Sequence, residues 1–139
     1  MAMGPTICCA ANSISGGLDD DALYGGLGAD VLSGGAGADG FYFDTVTGPG
    51  NIDTISDFSV LDDTIFLDDA SFGGLAVGTL SVSAFAVGAA AADPATRVLY
   101  NGTMGDLFFD ADGSGSGATV QFAALSPGLA LTNADIVIY

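Results

Sequence analysis

The sequence predicts an all-β fold, a stack of short repeat strands over residues 16–42 continued to residue 139 by alternating strands. Three observations carry that expectation. A nine-residue period runs from Gly16 to Tyr42 as GGLDDDALY, GGLGADVLS, GGAGADGFY, with Asp sixth (Asp21, Asp30, Asp39) and an apolar residue eighth (Leu23, Leu32, Phe41). The 22 glycines are spread along a chain that is 50% hydrophobic, the composition of neither a collagen nor a disordered tail. From Phe43 the period stops, and apolar runs alternate with Gly, Asp, Asn and Pro signals. A length of 139 residues suits one domain with a modest core.

Residues 1–15 are low in charge and carry no repeat, and read as a cap or as the remnant of a longer chain. They lack a basic n-region, and their apolar run is too short and broken for a signal peptide or a membrane span. Cys8 and Cys9 are neighbours that bridge each other only through a strained ring, so the chain has no internal disulfide framework. A bond between chains and an inert pair both remain open.

Within 16–42, paired glycines let the backbone turn tightly and bring carbonyl oxygens inward, and the sixth-position Asp adds a carboxylate to that oxygen-rich turn. The last three residues of each unit form a short strand whose central side chain points inward. One unit cannot bury that side chain alone, so successive units stack. The first unit carries Asp19 where the others have Gly28 and Gly37; Asp19 either adds a ligand or weakens its turn. Three units in one register with an apolar eighth position argue against a flexible Gly-rich linker.

Beyond Phe43, strands are expected near 52–58, 64–67, 79–87, 96–100, 106–109, 118–124 and 135–139. The alanines of 84–93 also allow a short helical turn, and Asn101 to Gly105 reads as a hairpin connection. No linker stands out after residue 43, so repeats and tail share one body.

The charge decides the class of partner. All 17 acidic residues are Asp, Arg97 is the single base, and the net charge is −16. A compact state with that charge repels itself, and nucleic acid and anionic membrane surfaces are poor partners. Cations are the fitting ones, and Asp is the short carboxylate that turns accept and hard cations bind. A halophile-type solvated surface is the competing explanation, against which the nonapeptide register argues. The absence of His and Lys excludes a Ser-His-Asp triad, an H-E-x-x-H zinc motif, a P-loop and a Schiff base, so no enzyme activity is expected in these residues. Asp110 to Gly113 invites an EF-hand reading, but position twelve is Gln121 rather than Glu, and a polar turn is preferred. Asp62-Asp63 and Asp68-Asp69 read as solvated turn residues.

The pattern G-G-x-G-x-D-x-U-x of residues 16–42 resembles the RTX (hemolysin-type) calcium-binding nonapeptide repeat family. The resemblance implies a parallel β-roll with two nonapeptides per turn, in which loops of repeats n and n+2 stack on one edge and hold Ca²⁺. The loop Gly16–Asp21 then lies on Gly34–Asp39, with Gly17, Asp19, Asp21, Gly35, Gly37 and Asp39 as site residues. The second loop, with Gly26, Gly28 and Asp30, has no upstream partner, since 7–12 lack the motif, and only a degenerate downstream one at 43–48. Asp53 and Asp57 of IDTISDF alternate onto one strand face, and the segment resembles the one closing such repeats in related domains, so the two are expected to complete it. Two or three Ca²⁺ ions follow.

The tail, through LDDTIFLD and TRVLYNGTMGDLFFDADGSGSG, resembles the C-terminal region of serralysin-type exoproteins, a β-sandwich-like continuation of the roll over 43–139. Asp135 followed by Ile136 to Tyr139 resembles the uncleaved C-terminal signal of type I secretion substrates. The implied function is calcium binding by a secreted domain that folds on Ca²⁺ outside the cell, with calcium ions and the type I secretion machinery as partners. The alternatives are a calcium-dependent self-assembling extracellular matrix, surface-layer or adhesion component, meeting further copies of itself or the preceding part of a longer protein, and an appendage of a secreted enzyme.

Overall fold

Each nonapeptide ends on a short strand because the middle side chain of its last three residues has a core to enter and its neighbours do not. A computed structural model describes residues 13–45, 51–88, 94–111, 113 and 119–139. In it β1 (Ser13–Gly17), β2 (Ala22–Tyr24), β3 (Val31–Gly35), β4 (Gly40–Phe43), β5 (Asp53–Ile55) and β6 (Thr64–Leu67) zigzag between two sheets. β1-β3-β5 lie side by side in one and β2-β4-β6 in the other, every pairing parallel. This is a parallel β-roll with two strands to the turn.

Register follows the eighth position. Ile14, Leu32 and Ile55 pair in succession in one sheet, and Leu23, Phe41 and Ile65 in the other, all six buried. Ile14 precedes the first Gly-Gly, so among the described residues the ladder already runs at Ser13, inside the stretch that the repeat pattern leaves out. Residues 1–12, with Cys8 and Cys9, lie outside the described residues. The ninth-position side chains leave the core on the second sheet and stack outside it: Tyr24 on Tyr42 and Tyr42 on Phe66, each with ring centroids 4.5 Å apart.

The two sheets run on into the tail. β7 (Gly78–Thr79), β8 (Phe85–Val87), β9 (Val98–Asn101), β10 (Asp106–Phe109), β11 (Val120–Ala124) and β12 (Ile136–Ile138) complete the order β1-β3-β5-β11-β10-β9-β8 in one sheet and β2-β4-β6-β12-β7 in the other. β11 joins β5 and β12 joins β6 in parallel, so the roll passes without a break into the antiparallel hairpin β9–β10–β11. The core between the sheets is continuous, with Phe43, Phe72, Phe109 and Phe122 meeting edge to face at 5.0–5.4 Å.

The strands expected at 64–67 and 106–109 form with those bounds, and Gly105 N–H donates to Asn101 O at 2.6 Å to close the expected hairpin turn. The strand expected over 79–87 does not form as one element. β7 pairs with β12 and β8 with β9, in different sheets, joined by a 3-10 turn over Val82–Ala84 whose first donor, Ser83 N–H, is capped by the Ser81 hydroxyl. Alternating apolar residues suited a strand, but the serine cap breaks it. This turn reaches only the first residue of 84–93, where the sequence allows a helical turn, and 89–93 lie outside the described residues. The strand expected over 52–58 ends at Ile55, where the chain leaves the sheet to bring Asp57 and Phe58 beneath the third repeat.

Candidate metal centre

The turns between strands are built from left-handed residues at the second and fourth positions. Their φ values are 103° at Gly17 and 72° at Asp19, 79° at Gly26 and 108° at Gly28, and 88° at Gly35 and 119° at Gly37. Asp19 is the non-glycine residue in this set and carries the steric cost that glycine avoids. Carbonyl oxygens are packed tightly between stacked turns. A methyl group on Gly35 would run into Gly17 O, and one on Gly37 into Asp19 O.

On the first edge the turn Gly16–Asp21 lies on Gly34–Asp39, as the repeat pairing predicts. Asp21 N–H donates to Asp39 Oδ1 at 2.9 Å, Gly40 N–H to Asp21 O at 2.8 Å, Ala36 N–H to Gly17 O at 3.0 Å and Ala38 N–H to Asp20 Oδ1 at 2.7 Å. The other oxygen of Asp39 is buried and has no hydrogen-bond partner among the described residues. It faces Gly34, where a side chain would collide with it; a Cβ on Gly16 would likewise come within 2.6 Å of Asp21 Oδ2 and 2.8 Å of Gly34 O. Glycine in the first position thus leaves a space lined by carboxylate and carbonyl oxygens.

On the second edge Gly25–Asp30 lies on the segment that ends at Asp53. Asp30 N–H donates to Asp53 Oδ1 at 2.9 Å and Thr54 N–H to Asp30 O at 2.7 Å, the same pattern as on the first edge. Asp53 Oδ2 and Asp30 Oδ2 lie 2.7 and 2.9 Å from the place a Cβ on Gly25 would take, so both carboxylates converge on that glycine. Asn51 accepts from Gly28 N–H at 2.9 Å and donates to the Thr45 hydroxyl at 2.9 Å, supporting the turn with neutral groups.

Burial of these carboxylates shows in their proton affinities. Loss of water raises Asp53 to about 7, helped by the neighbouring charge of Asp30 and opposed by the Asp30 N–H. Asp39 and Asp63 are also raised, first by burial and then by adjacent aspartates, while the backbone N–H groups they accept from pull them down. Without a countercharge, burial favours the protonated form of Asp39, Asp53 and Asp63.

Residues 10–41 match the RTX calcium-binding nonapeptide repeat family, in a description that spans four copies of the repeat. This segment is an RTX repeat block. The match begins ahead of Gly16, in keeping with the place of Ser13–Gly17 in the ladder. RTX repeats bind Ca²⁺; they are structural calcium-binding units rather than catalytic ones. No curated protein matches the chain.

The residues present fit that ion. Among the described residues no three acidic or thiol side chains form a metal cluster, so carboxylates alone do not make a shell. Ca²⁺ takes six to eight oxygens and accepts carbonyls as readily as carboxylates, and the RTX turns offer both, with a buried unsatisfied oxygen on Asp39. Burial alone opposes an ionised carboxylate; a divalent cation reverses that balance.

Not every expected residue reaches its place. Asp53 joins the second loop, but Asp57 does not. The chain turns after Ile55 and carries Asp57 to the other edge, where Gly34 N–H and Gly35 N–H donate to it at 2.9 and 2.8 Å. Asp63, read from sequence as a solvated turn residue, is buried and accepts from Asp39 N–H at 3.0 Å. Its signal was present in Asp63-Thr64-Ile65, which repeats the Asp-x-apolar frame of the RTX units, as does Asp53-Thr54-Ile55. Asp68 does behave as a turn residue, accepting from Ala70 N–H and the Ser71 hydroxyl. Asp112 lies outside the described residues.

Proposed function

We propose that this chain is a secreted calcium-binding domain whose RTX roll is folded by Ca²⁺. Asp21 and Asp39, with the turn residues Gly17, Asp19, Gly35 and Gly37, hold cation on the first edge; Asp30 and Asp53, with Gly26 and Gly28, hold it on the second. The observation that carries this reading is the convergence of the buried carboxylates of Asp30 and Asp53 on Gly25, with Asp39 set against Gly34 and Asp21 against Gly16, in a chain of charge −16 with one base. In a calcium-poor compartment the carboxylates repel and the chain stays open, which suits export through a type I channel. Outside, calcium binds the native state and stabilises it by mass action. With dissociation constants of about 10⁻⁴–10⁻³ M, typical of extracellular calcium modules, a tenfold excess of calcium adds about 1.4 kcal/mol per site.

The end of the chain has two roles in this reading. Ile136 and Ile138 of β12 are buried in the core, while Asp135 caps the turn before it by accepting from Thr132 N–H. The same residues serve as export signal before folding and as core strand after it. Among the described residues no helix is long and apolar enough to cross a membrane. Far-ultraviolet circular dichroism in chelator and in calcium tests the proposal: a β signal that grows with calcium is expected, and an identical spectrum in both overturns the folding switch.

A second reading, assembly of copies in an extracellular layer, is favoured by β1 and β2, which are edge strands of their sheets at the same end of the roll among the described residues. Calcium-dependent growth in light scattering supports assembly; a calcium-saturated monomer supports the single-domain reading.

A further inference from the structure

The structure assigns Asp57 and Asp63 to a metal-free closure of the first edge, not to a third cation site. The inference rests on the proposed reading that cations sit between the RTX turns above it. The turn that lies beneath Gly34–Asp39, residues 56–63, has the same position in the stack as an RTX turn but a different chemistry. It contains no glycine, and none of its residues has a left-handed φ. Its place is fixed instead by Phe58, buried against Phe41 with ring centroids 5.9 Å apart.

Its carboxylates are also satisfied differently. Asp63 Oδ1 accepts from Asp39 N–H at 3.0 Å and Oδ2 from Ser59 N–H at 2.9 Å. Asp57 Oδ1 accepts from Gly34 N–H at 2.9 Å, and Oδ2 from Gly35 N–H at 2.8 Å and the Ser33 hydroxyl at 2.9 Å. All four oxygens therefore face protein donors, whereas Asp39 Oδ2 in the turn above faces none among the described residues. N–H and O–H donors already occupy the oxygens to which a cation would bind, so neither carboxylate presents an unpartnered oxygen to one. Asp57 and Asp63 are thus positioning residues. They fix Gly34, Gly35 and Asp39, which form the lower half of the first cation site.

The test counts ions bound to the full chain at saturating calcium, by calorimetric titration and by atomic absorption after gel filtration. Asp57→Asn and Asp63→Asn are expected to bind as many ions as the wild type, with affinity changed less than about threefold, while their urea midpoints at saturating calcium fall clearly below wild type. Asp39→Asn is expected to lose one ion. Loss of an ion from a folded Asp57→Asn or Asp63→Asn protein overturns the inference and leaves the calcium reading standing. Absence of any bound ion in the wild type overturns the calcium reading and the inference with it. Should a variant fail to fold, anomalous diffraction from wild-type crystals grown with terbium decides. The inference requires no peak coordinated by Asp57 or Asp63, and a peak there overturns it.

Discussion

Asp53 shows how one residue can make folding depend on both protons and metal. Its carboxyl, buried against Asp30, is held at about 7 instead of the ordinary 3.8. The folded state then binds more protons than the unfolded one between those values. Without calcium, this contribution to stability is complete below about pH 4 and is lost as pH rises through 7. Asp39 and Asp63 shift in the same direction. In chelator, the melting temperature should fall between pH 5 and pH 8, with Asp53 contributing on the order of 2 kcal/mol after a discount for screening. Calcium competes with those protons, so its affinity should weaken as pH falls through 7. A chelated protein that gains stability from pH 5 to pH 8 contradicts this assignment. Asp19 offers a second residue-scale prediction. Its φ of 72° costs more than glycine would pay, so Asp19→Gly should stabilise the calcium-free turn by about 0.5–1 kcal/mol. Calcium titration of the same variant separates the two roles left open by the sequence: weaker binding marks Asp19 as a side-chain ligand, and unchanged binding marks it as a strained turn residue.

At the scale of elements, the outer stack of the second sheet joins consecutive turns of the roll independently of metal. Tyr42 lies between Tyr24 and Phe66 at 4.5 Å on each side and meets the Tyr139 ring edge to face at 5.5 Å, so Tyr42→Ala removes three ring contacts and should cost about 2 kcal/mol in a urea midpoint, while Tyr42→Phe should cost little. Inside the turns, Gly35→Ala sets a methyl group against Gly17 O at a φ of 88°; it should lower both stability and calcium affinity, because the two stacked turns must separate to admit it. The repeat strands were legible from sequence because period and burial coincide: the eighth residue is apolar and the eighth residue is buried. The last two roll strands were harder. Asp53-Thr54-Ile55 and Asp63-Thr64-Ile65 keep the frame, but longer connections in place of Gly-Gly turns hide the period, and Asp63 consequently read as solvated. Asp57 was misplaced for a related reason. Its spacing from Asp53 suggested one strand face, but the strand ends at Ile55, and Phe58 seeks the core beside Phe41.

Over the whole molecule, the division of labour follows the gradient of chemistry along the chain. The tail is held by an aromatic and aliphatic core, including Phe72, Phe109 and Phe122, and Phe72→Ala there should cost about 3–5 kcal/mol whether or not calcium is present. The RTX end has short strands, glycine turns and buried carboxylates, and its stability is tied to cation. Composition announced that contrast, since −16 with one base cannot be neutralised from within. The continuity of the sheets from roll to tail depends on β11 and β12 returning to pair with β5 and β6, a long-range register that no local pattern encodes. The most direct measurement of the central claim is the melting temperature of the full chain against free calcium, from chelator to 10-fold above the binding midpoint. The melting temperature is expected to rise steadily and to keep rising past saturation with the logarithm of calcium concentration, as ligand linkage to the folded state requires. A melting temperature that does not move with calcium contradicts that claim.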